Sequence, residues 1–227
     1  MLTNTCYMCD AEATTVEHVP PKCIFPESKD LSSADKLLDF RKQLITVPSC
    51  DDHNGKKSKD DEYLFCMLAI SILSGPRGQQ QAKTKVRRIL DFKKNLKQEF
   101  IKNSKLVYIQ DNQSEKVIPT LALSIQRERV ESSLRSCARA LYFKEFNNKF
   151  LGDIQIFPLF LYDLEPKFND VQESFFQNTK VLFSSIQGKG ENPAIFTYKF
   201  ITEESMNKIL LEMNFYEDSR VIAIFKS

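Results

Sequence analysis

Residues 6–9 read Cys6-Tyr7-Met8-Cys9, and residues 50–53 read Cys50-Asp51-Asp52-His53. Each motif holds two soft ligands with two residues between them, a spacing that lets a tight turn aim both side chains at one metal ion. Two such pairs complete the tetrahedral coordination that zinc prefers, and three thiolates with one imidazole are typical of a closed structural site. The sequence therefore predicts a structural Zn²⁺ site made by Cys6, Cys9, Cys50 and His53.

A redox Cys-x-x-Cys pair is the alternative interpretation of Cys6 and Cys9. It is the weaker one, because no βαβ pattern surrounds the motif and the second pair contains a histidine. The remaining cysteines, Cys23, Cys66 and Cys137, have no partner at this spacing. Cys66 and Cys137 lie in apolar helical patterns, which predicts that they are small buried side chains.

Composition limits the classes of protein that the chain can represent. It has 227 residues, of which 42% are apolar and 27% charged, as expected for a soluble globular protein with one large domain or two small ones. The net charge of +2 is nearly neutral, so nucleic-acid binding would need a local basic patch. The sequence shows no signal peptide and no run of about 20 apolar residues. We therefore expect a cytoplasmic protein without a membrane partner.

The pattern of apolar residues and turn signals predicts an α+β protein in three segments. Residues 1–62 would form the zinc-stabilised module, with a short strand before Pro20, one short helix over 28–43, a strand over Leu44–Val47 and a helix that begins near Cys50. Residues 63–150 would be helical, with a helix over 79–105, a strand pair joined by a turn at Asp111–Gln113, and a long helix over 123–146. Residues 151–227 would form a mainly antiparallel α+β region. Its predicted strands cover 154–162, 180–184, 195–200, 208–215 and 221–225, of which 208–215 could equally be helical.

The predicted helix over 79–105 is strongly basic. Between Lys83 and Lys105 the sequence has nine Lys or Arg residues but only two acids, Asp91 and Glu99. Such a run usually marks a solvated helix face. The functional alternative is a surface that follows the phosphates of a nucleic acid.

The only two histidines of the chain, His18 and His53, both lie in the N-terminal segment. His18 follows Glu17, a hard oxygen ligand suited to Mg²⁺ or Mn²⁺, and Asn54 adds a second oxygen directly after His53. A neutral imidazole near a phosphate can deprotonate water for attack on phosphorus, and a divalent ion can stabilise the charge that develops. A satisfied structural histidine is the simpler interpretation of His18 alone.

These elements together resemble the HNH endonucleases, which are ββα-metal nucleases with zinc knuckles and a treble-clef-like module. The match rests on Cys6/Cys9, on the string Glu17-His18-Val19-Pro20-Pro21, and on Cys50-x-x-His53-Asn54, and it covers about a quarter of the chain. The resemblance implies that His18 is the general base, that Glu17 and Asn54 hold a catalytic Mg²⁺ or Mn²⁺, and that the four predicted ligands hold zinc.

The chain departs from the family pattern at three points. Asn54 stands where many members have a metal-binding histidine, and His53 replaces the usual fourth cysteine. The central asparagine that gives the family its middle letter is not evident near residues 43–46, so the strand that carries the base must be braced by other residues.

The leading hypothesis from the sequence is a metal-dependent endonuclease with DNA as a better candidate substrate than RNA, of the kind found in phage defence and mobile elements. One alternative is a zinc-stabilised nucleic-acid-binding module without chemistry, which would use the basic segment as its contact surface. Another is a nuclease subunit that acts only together with a protein partner.

Overall fold

The computed structural model of the protein describes residues 4–55, 57–102, 104–110, 116–203 and 208–226. Within these residues the chain forms seven α-helices and eight β-strands, and the strands are arranged in three antiparallel sheets. The predicted α+β class is therefore confirmed.

The N-terminal segment consists of two paired strands followed by helices. Strand β1 (Thr15–Val19) pairs antiparallel with β2 (Ile45–Ser49). Helix α1 (Asp51–Asn54) begins directly after β2, and its first turn carries two aspartates that suit the positive end of the helix dipole. Helix α2 (Ser58–Ile70) follows. The predicted short helix over 28–43 is wrong, because the only helical residues there form a single 3₁₀ turn at Ser28–Asp30.

The predicted basic helix is divided into several pieces. Helix α3 (Pro76–Gln81) continues through a π-helical turn (Ala82–Val86) into α4 (Arg87–Phe92), and α5 (Lys94–Lys102) is separate. The break lies at Lys93, whose φ of −95° and ψ of 77° are not helical. Pro76 stands in the first turn of α3, where its missing N–H costs nothing.

The predicted strand pair and the long helix are confirmed. Strands β3 (Lys105–Gln110) and β4 (Val117–Ala122) form a two-stranded antiparallel sheet, and the predicted turn at 111–113 lies outside the described residues. Helix α6 (Arg127–Phe146) ends where Asn147 adopts the left-handed conformation with a φ of 51°.

The C-terminal segment is a four-stranded antiparallel sheet with the strand order β5-β8-β7-β6. Its strands are β5 (Asp153–Pro158), β6 (Phe196–Glu203), β7 (Lys208–Phe215) and β8 (Ser219–Lys226). The predicted strand over 180–184 is wrong, because residues 180–183 end helix α7 (Pro166–Phe183) and Ser184 follows it. Side chains of α7 pack on one face of the sheet with Leu159 and Ile222.

One cluster of buried side chains draws on all three predicted segments. It extends from Tyr7 through Leu64 of α2 and Leu134 of α6 to Phe225 of β8. The predicted boundary after residue 62 falls inside α2, and the division of the chain into three parts stays a prediction. Of the helices that the structure describes, none combines the length and the apolar surface needed to cross a membrane.

Candidate metal centre and its surroundings

The four predicted zinc ligands come together at one point. The ligand atoms of Cys6, Cys9, Cys50 and His53 all lie within 4.8 Å of one another. His53 Nδ1 is 3.4 Å from Cys6 Sγ, 3.5 Å from Cys9 Sγ and 3.2 Å from Cys50 Sγ. A tetrahedral zinc ion with ordinary bond lengths would separate sulfur from nitrogen by about 3.5 Å and sulfur from sulfur by about 3.8 Å. The cluster therefore has the dimensions to bind a metal ion such as zinc.

Local backbone structure explains why these side chains converge. The first knuckle is closed by a hydrogen bond from Cys6 N to Ala11 O, and Tyr7 N donates to Pro48 O at 2.9 Å, which fastens the knuckle to β2. Cys50 directly follows β2, and His53 lies one turn later because α1 begins at once. The two ligand pairs therefore meet across the edge of the β1–β2 sheet.

The environment of Cys6 favours the thiolate form that a metal requires. Burial opposes ionisation, but backbone hydrogen bonds from Met8 and Cys50, together with His53, lower the pKa of the Cys6 thiol to about 7. Burial raises the pKa of the Cys23 and Cys66 thiols to about 12. Cys66 and Cys137 are fully buried, which confirms the prediction that they are core side chains.

His18 lies on the outward face of the β1–β2 hairpin. It pairs with Thr46 across the sheet, and its neighbours Glu17 and Val19 point to the buried face, as the alternation of a strand requires. Partial burial lowers the pKa of the His18 imidazole below its usual value, and the positive charges of Lys22 and Arg41 lower it further. His18 is therefore neutral near pH 7 and lies among cations.

Asn54 connects the end of α1 to the start of β1. Its Nδ2 donates to Thr15 Oγ1 at 3.1 Å and to Val16 O at 3.3 Å. Both hydrogen bonds use the amide nitrogen, and the side-chain oxygen Oδ1 takes part in neither of them. The residue that directly follows His53 thus ties the Cys/His cluster to the strand that carries His18.

Glu17 has different partners from those that the sequence predicted. Its side chain is 3% exposed, and Oε1 accepts a hydrogen bond from Lys57 Nζ. Lys57 also lies 3.7 Å from Asp61 Oδ2, and Asp61 Oδ1 accepts a hydrogen bond of 3.0 Å from Ser133 Oγ of α6. The structure therefore places Glu17 in a buried ionic network on the face of β1 opposite to His18.

Lys57 stays charged in this network. Burial opposes its charge, but Cys137, Asp61 and Glu17 outweigh that effect and raise the pKa of the Lys57 ammonium above its usual value. The sequence showed Lys57 only as one of several lysines after Asn54. Its one local signal was Asp61 four residues later on the same helix face.

Five of the nine basic side chains of this segment form ion pairs, among them Lys85, whose Nζ lies 3.7 Å from Glu27 Oε1. Ion pairs join Arg88 to Asp30, Lys93 to Glu62, and both Lys97 and Arg87 to Asp91, while Lys85 donates to Cys23 O. Four exposed lysines show no ion pair with any described residue, namely Lys83, Lys94, Lys102 and Lys105. Ion pairs therefore account for about half of this charge, and the choice between a solvated face and a phosphate-binding surface stays open.

Comparison of the chain with protein families, with curated proteins and with solved structures finds no match.

Proposed function

We propose that the protein is an endonuclease that hydrolyses DNA phosphodiester bonds, with His18 as the general base and a zinc ion as a structural support. The observation that carries the proposal is the position of His18: a neutral, partly buried imidazole among cations, on a strand that Asn54 ties to the metal centre. The resemblance to HNH endonucleases agrees with this arrangement.

In the proposed reaction His18 takes part in one proton transfer. The imidazole accepts a proton from a water molecule, whose oxygen attacks phosphorus while the bond to the leaving sugar oxygen breaks. The leaving oxygen then takes a proton from solvent. Lys22 is exposed at the start of the turn after β1 and would attract the negatively charged backbone toward the base, whereas Arg41 is ion-paired with Glu27.

The residues predicted to bind zinc suit their ion better than the residues predicted to bind a catalytic Mg²⁺ or Mn²⁺ suit theirs. Three thiols and one imidazole suit zinc, which supplies cross-linking and no open position. Glu17 does not fit a Mg²⁺ or Mn²⁺ ligand in this conformation, because its carboxylate is buried and bound to Lys57. The catalytic ion at Glu17 and Asn54 stays a prediction from the resemblance, and no step of the reaction is derived through it.

Cleavage of supercoiled plasmid tests the proposal. Zinc-loaded protein should nick or linearise the plasmid when Mg²⁺ or Mn²⁺ is added, and His18→Ala should reduce the rate of that cleavage by about 10²–10⁴-fold. Equal cleavage by both proteins would reject His18 as the base. Absence of cleavage by the wild type under every divalent ion would reject an endonuclease that acts alone.

The pH dependence of cleavage should report the ionisation of His18. A general base must be neutral, and the pKa of His18 lies below about 6.5, so the rate should rise with pH and reach half of its maximum below pH 6.5. Cleavage rates at saturating substrate between pH 5 and 8 measure this limb, with zinc content determined at each pH as the control. A midpoint at or above pH 7 would contradict the assignment.

The second candidate function is a zinc-stabilised nucleic-acid-binding module, and the exposed Lys83, Lys94, Lys102 and Lys105 favour it. A pair of matched substitutions separates the two functions. If the nuclease proposal holds, Lys22→Ala should weaken DNA binding and reduce the slope of log K against log salt by about 1, while Lys94→Ala should change neither. Fluorescence anisotropy over a range of salt concentrations measures both, and the reverse result would favour the binding module.

A nuclease subunit that needs a protein partner is the remaining alternative. It predicts that the isolated protein binds DNA without cutting it, and that cleavage with an intact His18 requirement appears only after the partner is added.

A further inference from the structure

The ionic network beneath β1 connects three parts of the molecule that are distant in sequence. Glu17 belongs to β1, Lys57 and Asp61 to the start of α2, and Ser133 to α6. Lys57 lies between the two carboxylates and is only 14% exposed, and Glu17 is almost fully enclosed. A charge pair with this degree of burial is costly to break, because removal of either partner leaves an uncompensated charge in the interior.

Tyr7 closes the network on the side of the zinc knuckle. Its hydroxyl and Glu17 Oε2 are buried atoms with no hydrogen bond to another described residue, and the two groups are near enough for each to shift the pKa of the other. Tyr7 follows the zinc ligand Cys6 and is itself fully buried. The Glu17 carboxylate is therefore surrounded by Lys57 and Tyr7, while His18 faces the opposite side of the strand.

We propose that Lys57 is the permanent counter-ion of Glu17 and that this pair is a positioning device, which holds β1 on α2 and keeps a divalent ion away from Glu17. The inference rests on the proposed function only in giving β1 a catalytic residue, His18, to position. The pair of Glu17 and Lys57 would brace the strand that carries His18, a role for which the sequence shows no central asparagine. A divalent cation at Glu17 would meet the ammonium of Lys57 at hydrogen-bond range in a region that water does not screen.

Two single substitutions and their combination test the positioning role. Glu17→Gln and Lys57→Met should each lower the Tm by roughly 6–20 °C and speed amide exchange in β1, since each leaves one buried charge without its partner. The double variant should be no less stable than the worse single variant. The exchanged pair Glu17→Lys with Lys57→Glu should recover part of the lost stability. Additive losses, or single variants with wild-type Tm, would overturn the inference.

Direct measurement of Mn²⁺ binding tests the exclusion of a divalent ion without any need for nuclease activity. Zinc-loaded wild type and Glu17→Gln should bind Mn²⁺ with affinities that agree within about twofold, as measured by the electron paramagnetic resonance of free Mn²⁺. Lys57→Met should bind Mn²⁺ more tightly than the wild type does, and the double variant with Glu17→Gln and Lys57→Met should lose this gain. A tenfold or larger loss in Glu17→Gln would overturn the inference and return Glu17 to the role of metal ligand. Neither the Tm measurement nor the Mn²⁺ measurement depends on plasmid cleavage, so the inference and the nuclease proposal can fail separately.

Discussion

Cys50→Ala should release the metal ion and lower the free energy of unfolding by about 5 kcal/mol or more, because the binding energy of a structural zinc ion contributes directly to folding. Cys50 is nearly fully buried and joins the end of β2 to the start of α1. Its loss removes one of four ligands and leaves the thiol of Cys6 close to His53 with no ion to bind. Metal content by mass spectrometry and Tm by calorimetry measure the two effects.

Cys23→Ala is the matched control for this prediction. Cys23 lies outside the ligand cluster, and its thiol donates only a weak hydrogen bond to Asp61 O. The control should keep one zinc per chain and lose much less stability. A wild-type protein with no bound zinc, or with the same Tm before and after treatment with a chelator, would contradict the role of the metal.

Apart from its two ligands, the first knuckle is held by a few polar contacts, one of which is the hydrogen bond from Lys149 Nζ to Cys9 O at 2.7 Å. Its backbone is tied by bonds from Cys6 N to Ala11 O, from Ala13 N to Asn4 O, and from Tyr7 N to Pro48 O. Tyr7 and Cys6 are nevertheless fully buried, so the knuckle contributes to the common core. Loss of the metal should therefore expose Tyr7 to solvent.

The cluster of Cys6, Cys9, Cys50 and His53 could be predicted from the sequence because each pair is local. A gap of two residues fixes the geometry within a pair, and only the meeting of the two pairs depends on the fold. The strand pairs were predictable for a similar reason, since β-branched runs such as Ile45–Val47 end at clear turn signals. The relative positions of the two ligands within each pair therefore follow from residues that are neighbours in the chain.

The partner of Glu17 was not predictable, because Lys57 reaches it from 40 residues further along the chain. The sequence does indicate that Glu17 and His18 are on different surfaces, because adjacent residues of a strand point to opposite faces. The buried face was identifiable from Val19 and Val47, which have the same orientation as Glu17.

Helix α7 was missed for another reason. The short run Lys180–Ser184 has the β-branched Val181 and the aromatic Phe183, which favour a strand when the window is narrow. In the last turns of the helix the apolar Phe175, Phe176 and Phe183 recur at helical spacing together with the buried Thr179, and Phe183 is buried against the sheet. Packing of these side chains on the four-stranded C-terminal sheet therefore favours a helix over a strand for residues 180–183.

His18→Ala should reduce the rate of DNA cleavage by about 10²–10⁴-fold, the usual contribution of a positioned general base. The effect should appear in kcat more than in KM, because the imidazole acts on the attacking water and the nearby cations attract the DNA backbone. His18 is outside the ligand cluster, so the variant should keep its zinc and most of its stability. Single-turnover cleavage of a labelled duplex measures the chemical step.

Thr46→Ala is the matched control, since Thr46 is the exposed cross-strand partner of His18 and carries no base. It should cut DNA at nearly the wild-type rate, whereas added imidazole should restore part of the activity of His18→Ala. The acidic limb of the pH profile should also disappear in His18→Ala, because the group that titrates there has been removed. If both variants lost activity equally, His18 would stabilise the hairpin and the base would have to be sought elsewhere on the outward face of β1 and β2.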